Sequence, residues 1–344
     1  MSENKIDIKS FTLDELRLEF AEQSIQKFRA EQVYKWLNAG VDSFENMTNL
    51  PKDLRSLLDS RYFITSCAVE IKRVSKLDGT IKYLYKLYDG QYVEAVIMRY
   101  IHGISICISS QVGCKMNCSF CATGKGGFHR NLLPSEMLSE VITAQLDIGE
   151  RISNIVLMGM GEPLDNYDNV LKFLKLVNNE KGLAIGMRHI SLSTCGIVNR
   201  IYDLAELDPQ FTLSVSLHAP NDQIRSKTMP VNNRWNINEL LKACRYYYEK
   251  TNKRISFEYA MISGFNDSDS CAYELTERLH GILSHVNLIP VNDVTGTGFK
   301  KSGRERLKKF AGILNSHGIT ATVRRTLGAD IEASCGQLKG KYTQ

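Results

Sequence analysis

The residues best able to do chemistry in this chain lie in one short run, Cys114-Lys-Met-Asn-Cys118-Ser-Phe-Cys121. Three thiols spaced C-x3-C-x2-C can wrap one metal centre. A structural zinc ion closes with four protein ligands, and no fourth Cys or His stands at finger-like spacing. Zinc would have to recruit Cys107 upstream or His129 downstream. An iron–sulfur cluster is also held by thiolates. Held by three cysteines, a [4Fe–4S] cluster leaves one iron open to a further ligand.

The chain has 344 residues and nine cysteines, far below the density of a disulfide scaffold. The first residues show no apolar leader core, and no run approaches the ~18 apolar residues of a membrane span. The expectation is a cytoplasmic chain without membrane attachment, in a compartment where clustered cysteines serve metals or catalysis. Hydrophobic residues at 43% and charged residues at 24% exclude global disorder. The net charge of +5 permits an RNA partner without demonstrating one.

The elements that must position the cysteine run follow from periodicity. Residues 1–60 read as a helical module, opened by a capping box at Thr12 and Glu15. Residues 61–103 change to alternation with Asp78-Gly79 and Asp89-Gly90 turns, the pattern of a small antiparallel β extension. From 104 to 344 strand, loop and helix repeat, which predicts parallel strands with right-handed crossovers. About six such units predict an α/β fold with a partial (β/α)6-type TIM barrel. Polar or glycine-bearing segments follow the strands at 111–123, 159–162, 193–196, 216–218, 292 and 324–326. In such a barrel these loops share the face where active sites lie.

Set on that framework, C-x3-C-x2-C with Phe120 before its last Cys resembles the signature of radical S-adenosylmethionine (SAM) enzymes. Longer runs resemble the RlmN/Cfr family of adenine-methylating RNA enzymes. They are Gln111 to Gly124, Met158-Gly-Met-Gly-Glu-Pro-Leu164, Ser216-Leu-His-Ala-Pro-Asn-Asp222, His285 to Asn292 and Ala333-Ser-Cys-Gly-Gln-Leu338. The match runs in order from about residue 20 to 340.

The resemblance implies a [4Fe–4S] cluster on Cys114, Cys118 and Cys121, and two SAM molecules per turnover. It implies Cys335 as the S-methylcysteine carrier and Cys107 as the resolving cysteine, joined to Cys335 in a transient disulfide. Gly161, Glu162, Ser193, Ser216, Leu217, His218 and Asn292 correspond to cofactor contacts, with Phe120 beside the cluster. Glu94 corresponds to a proton acceptor, although alternation alone would make it a solvated strand residue. On their own, Cys107 and Cys335 would read as small buried hydrophobes. Cys67, Cys195, Cys244 and Cys271 match no family role and read as packing.

The implied substrates are an adenine of 23S rRNA in the peptidyl-transferase centre and an adenine beside a tRNA anticodon. A donor such as flavodoxin or ferredoxin would supply electrons to a monomeric enzyme. The runs Gly-Glu-Pro-Leu and His-Ala-Pro-Asn-Asp resemble the C2-methylating branch rather than the Cfr-like C8 branch. Two departures from the family pattern are Asp293 and the stretch Leu327-Gly-Ala-Asp. A reading of another class is a non-catalytic Fe–S RNA-binding protein, which would have no use for Cys335. Lys125, His129, Arg130, Arg324 and Arg325 flank the site as candidate RNA contacts. The basic stretch from Lys300 to Lys309 reads by default as a solvated face.

Overall fold

The computed structural model describes residues 5–292 and 298–338; Asp293 lies outside them. The chain opens with β1 (Ile6–Asp7), α1 (Leu13–Glu22), α2 (Lys27–Asn38), α3 (Lys52–Arg61) and β2 (Tyr62–Phe63), which pairs with β1. Thr12 and Glu15 form the capping box expected of them, each side chain bonding the other's backbone N–H at 3.3 and 2.7 Å. The apolar stripes of α1 and α2, including Leu16, Phe20, Val33 and Leu37, are buried.

A meander follows: β3 (Ala68–Val74), β4 (Ile81–Lys86), β5 (Tyr92–Tyr100) and β6 (Gly103–Cys107), each antiparallel to the one before. A short ribbon of β7 (Gln111–Gly113) and β8 (Phe128–Asn131) then flanks α4 (Ala122–Lys125). The remaining units alternate. They are α5 (Pro134–Ile148), β9 (Asn154–Leu157), α6 (Tyr167–Asn178), β10 (Ile190–Thr194), α7 (Val198–Glu206), β11 (Thr212–Ser216), α8 (Asp222–Thr228) and α9 (Ile237–Thr251). The series ends with β12 (Ile255–Met261), α10 (Asp269–Leu279), β13 (Ser284–Pro290), α11 (Arg304–Ser316) and β14 (Thr320–Val323).

Seven strands, β6 and β9 to β14, run parallel in sequence order, joined by six crossovers as a partial barrel requires. The meander is not a separate sheet: β5, β4 and β3 extend the barrel sheet beyond β6 to ten strands. Among the described residues no helix is long and apolar enough to cross a membrane.

Strands of a parallel sheet covered on both faces are usually apolar throughout. These alternate. Leu192, Leu213, Val215, Ile255, Phe257, Val286 and Leu288 are buried on the outer face and join the helices in one hydrophobic core. The inner face carries Ser193, Ser214, Ser256 and His285 in one cross-strand row, then Ser216, Glu258, Asn287 and Thr322 in the next. The alternation therefore builds an open, polar-lined concave surface rather than a filled barrel centre.

The strand ends are drawn close together. Gly159, just past β9, donates to the carbonyl of Ile108 at 3.0 Å. A Cβ at Gly159 would stand 2.5 Å from that oxygen. Gly159→Val should therefore force the ends of β6 and β9 apart and cost about 1–3 kcal/mol, the range for overpacking a tight site. Denaturant midpoints of the two proteins measure this, and an unchanged midpoint refutes the close approach.

Candidate active site

The cysteine loop leaves the β7–β8 ribbon at Gly113, whose φ of +78° is left-handed. A Cβ there would overlap the Gly127 carbonyl at 2.0 Å, so only glycine lets the chain turn into the loop. The Cys114 N–H donates back to Gly127 O at 2.8 Å, and the Cys121 N–H donates to Cys118 O at 3.1 Å. All three cysteines line one cavity. Burial, followed by neighbouring acidic and thiol groups, pushes the Cys114 thiol up to about 12. Burial and the other two cysteines push Cys118 upward as well.

Thiols crowded this way are costly as thiolates until a cation neutralises them, which a metal centre does. Among the described residues, no three His, Cys, Asp or Glu side chains form a single-ion site. His129 is exposed on β8 and does not line the cavity. Three thiols on one loop suit a cluster, whose thiolates bind separate irons.

The same cavity is lined by Gly161, Glu162, Ser193, Ser216, His218 and Asn292, and by Phe120 of the cysteine loop itself. Loops after five different strands meet here. Glu162 is buried, and its carboxylate accepts from the backbone N–H groups of Cys195 at 2.7 Å and Leu164 at 3.0 Å. Burial raises its pKa. A carboxylate held in this way suits an ammonium group.

His218 has a left-handed φ of 56°. Buried Asn266 stabilises that turn, donating to the carbonyls of His218 at 2.8 Å and Ala260 at 2.7 Å. The Ala260 N–H donates to His218 Nδ1 at 2.9 Å, so the neutral ring carries its proton on Nε2. The edge of Phe120 packs on this ring, with centroids 4.9 Å apart.

Leu217, grouped with its neighbours by resemblance, is placed differently. Its side chain is buried and does not line the cavity. Its N–H donates to Glu258 O, and its carbonyl accepts from Arg225. Leu217 therefore holds Ser216 and His218 in place rather than reaching into the site.

Cys335 and Asn292 line this cavity and also a second one beside it. The second is formed by Val96, Met98, Tyr100 and Cys107 with the segment around Cys335. Cys107 lines only the second cavity. Burial first, then Cys335, pushes the Cys107 thiol up to about 12. Asn292 donates to the Cys335 carbonyl at 3.0 Å, which ties the loop after β13 to the segment after β14.

Several expectations change. Glu94 is not solvated: it is wholly buried, 3.1 Å from buried Lys82, and lines neither cavity. Arg324 lies within the site, lining both cavities, rather than on a phosphate-facing rim. Cys335, then Glu258 and Cys107, strengthen its hold on its proton. Arg130 is committed to Glu136, with bonds of 2.7 and 2.8 Å, and to Asp89 at 2.6 Å. In the basic stretch, Arg306 and Lys309 both pair with Asp269. Cys67, Cys244 and Cys271 are buried outside both cavities, whereas Cys195 lines the first.

Arg225 escaped sequence reading altogether. It is wholly buried and donates to the carbonyls of Cys195, Ser216 and Leu217 and to Asn232 Oδ1. One guanidinium thus ties together the loops after β10 and β11. No periodicity marks an arginine in a short polar helix as buried.

A three-cysteine loop above an open polar barrel face defines the class: this is a radical SAM enzyme. Residues 108–272 match the model of the radical SAM superfamily, and residues 6–64 match the ribosomal RNA large subunit methyltransferase N-terminal domain. A crystal structure of a radical SAM methyltransferase from Sphaerobacter thermophilus superposes with a TM-score of 0.93 at 42% identity, covering 98% of this chain and 100% of that one. The probable dual-specificity RNA methyltransferase RlmN of Alkaliphilus oremlandii is 52% identical over 340 residues, 99% of both chains. That of Clostridium tetani is 50% identical over 341 residues, covering 99% of this chain and 98% of the relative. The chain belongs to the RlmN family of radical SAM methyltransferases. Membership implies a [4Fe–4S] cluster and SAM.

Burial, then the neighbouring Arg225 charge, lowers the pKa of His218 to about 3 from an ordinary 6.5. Below about pH 6.5 the unfolded chain binds a proton there and the native chain does not. The fold should therefore lose up to about 1.4 kcal/mol per pH unit from this residue as pH falls from 6.5 towards 3. His218→Gln should flatten that slope in denaturation series at several pH values; an identical slope in both proteins refutes the buried neutral ring.

Proposed function

We propose that this enzyme methylates C2 of an adenine in 23S rRNA at the peptidyl-transferase centre, and of an adenine beside a tRNA anticodon. The observation that carries this reading is the place of Cys335, on the wall shared by two cavities, with Cys107 in the second alone. One cavity takes the cluster and SAM; the other takes the adenine.

Cys114, Cys118 and Cys121 hold the cluster. Glu162 faces the ammonium of the SAM methionine, and Ser193, Ser216, His218 Nε2–H and Asn292 meet its carboxylate and ribose. Cys335 accepts a methyl group from one SAM by thiolate displacement. When bound, the cluster and a second SAM supply the radical that removes hydrogen from that methyl group. The Cys335 methylene carbon bonds to adenine C2, linking protein to RNA; the adduct then loses the C2 proton to solvent and one electron, which the bound cluster would take back, and the ring is aromatic again. The Cys107 thiolate attacks the Cys335 sulfur and breaks its bond to the methylene carbon, which keeps the bonding pair and takes a proton, so that a protein disulfide and the methylated base are formed. Reduction of that disulfide restores both thiols, which suits the cytoplasm.

An aromatic ring carbon such as C2 does not attack a sulfonium methyl as an ordinary nucleophile does, so a radical route is chemically sensible. The choice of C2 over C8 rests on the resemblance of residues 161–164 and 218–222 to the C2 branch. A base buried in rRNA must leave its stack to reach this site. The helical module of residues 1–60 is assigned to RNA docking, and flavodoxin or ferredoxin to electron supply, with the enzyme acting as a monomer. A non-catalytic Fe–S RNA-binding protein would have no reason to place a second thiol beside Cys335.

Anaerobic turnover on ribosomal RNA and on tRNA, read by nucleoside mass spectrometry, should yield 2-methyladenosine from each. Exclusive 8-methyladenosine sinks the C2 assignment. In the Cys107→Ala variant, which lacks the resolving thiol, RNA should accumulate covalently attached to the peptide carrying Cys335; clean product release would remove Cys107 from the mechanism.

A further inference from the structure

Beyond β14, the segment that carries Cys335 contains only one short 3-10 turn, Ala329–Ile331. Besides the Asn292 bond to the Cys335 carbonyl, two clamps hold it. On one side the cluster loop holds it: Ala122 N–H donates to Gly336 O and Thr123 Oγ1 to Leu338 O, both at 2.8 Å. On the other side the β3–β4 turn holds it. Asp330 accepts from Ser75 Oγ at 2.7 Å and from Lys76 N–H at 2.9 Å. Asp78 accepts from Gly328 N–H at 2.9 Å.

Lys82 completes this second clamp by donating to the Glu332 carbonyl at 2.9 Å, three residues before Cys335. The same ammonium lies 3.1 Å from Glu94, with both side chains shielded from solvent. The register gives this pair its meaning. Lys82, Val96 and Cys107 stand opposite one another across β4, β5 and β6, so they share one face of the sheet. Glu94, two residues from Val96, shares it too. The row that runs from Arg73 through Lys82, Val96 and Cys107 to Val156 therefore holds both Cys107 and the residue that grips the Cys335 segment.

Desolvating an ion pair costs as much as its attraction returns, and an apolar pair would fill this space as stably. An apolar pair could not donate to Glu332 O. Burial lowers the Lys82 pKa, Glu94 opposes that shift, and the ion pair holds the ammonium within reach of that carbonyl.

We infer that Glu94 and Lys82 are positioning residues that fix the reach of Cys335 to Cys107, with Asp78 and Asp330 closing the same clasp. This rests on the roles given above to the two cysteines. It replaces proton acceptance as the work of Glu94, which acts through Lys82 without touching substrate.

The test uses cluster-loaded protein without RNA, treated anaerobically with glutathione disulfide. That oxidant takes two electrons and two protons from Cys107 and Cys335, giving their disulfide and two glutathione molecules. Peptide mass spectrometry reads the rate of linkage. K82M, E94Q and the solvent-facing double variant D78A/D330A should each slow it by about tenfold or more, the scale for misplacing reacting groups by an ångström. E94D, which retains the charge, should recover part of the rate. D78A/D330A should do this with unchanged cluster absorbance and at a temperature well below its own melting transition, which separates positioning from general destabilisation. If E94Q does not fold, the double aspartate variant decides: linkage at the wild-type rate overturns the inference. It is overturned equally by an E94Q protein that links normally yet fails on RNA, the behaviour of a proton acceptor. Wild-type protein that never links these cysteines nor methylates Cys335 brings down the functional reading and this inference together.

Discussion

One sulfur stands on the wall between two cavities, and on the proposed mechanism it has to serve both. Cys335 lines both the cavity that collects the three cluster cysteines and the cavity that holds Cys107. Much of the site's architecture answers to that requirement. The barrel sheet ends β6 at Cys107, and the antiparallel strands added beyond β6 supply the floor and edge on which the Cys335 segment lies. That segment carries little regular structure, so its place must come from bonds to other elements. Those bonds come from the cluster loop, from Asn292 and from the β3–β4 turn.

The barrel contributes by what its inner face is not. A filled barrel centre would leave no room for a cofactor. Serines, Glu258 and Asn287 give that face polar groups, while the apolar residues of the same strands pack outward. The loops above it are then fixed by a few fully bonded buried groups. Arg225 binds three loop carbonyls, and Asn266 holds the left-handed turn at His218. Because these donors are satisfied within the protein, the cavity walls stand ready before any ligand arrives, which lowers the ordering cost of binding.

Much of this was legible in the sequence, and the reasons differ by residue. The alternation of strand and helix, and the polar segments at strand ends, report local periodicity, so the barrel and its active face could be read directly. The cysteine run could be read because its ligands are close in sequence. Cys335 and Cys107 lie 228 positions apart, and only family resemblance joined them. Glu94 misled because alternation predicts one solvated face, whereas the Cys335 segment covers that face. Arg225 and Arg324 were hidden or misplaced for a common reason. A buried cation is recognisable only from the carbonyls, carboxylates and thiols that surround it, and those come from distant parts of the chain.

The electrostatics of the two thiols bear on the order of events. A disulfide between Cys107 and Cys335 formed before methyl transfer would block the carrier. Burial holds the Cys107 thiol near 12, so at neutral pH almost none of it is thiolate, and thiol–disulfide chemistry runs through the thiolate. In the resting fold Cys107 is therefore a slow nucleophile, and its linkage to Cys335 without RNA needs an added oxidant. Arg324 lies beside Cys107, and its charge favours the Cys107 thiolate against that burial. Filling the second cavity with a base and moving the Cys335 segment would alter the surroundings of both thiols together. On the proposed mechanism, a base in the second cavity would speed resolution above this slow resting rate, which is the order a methyl carrier needs.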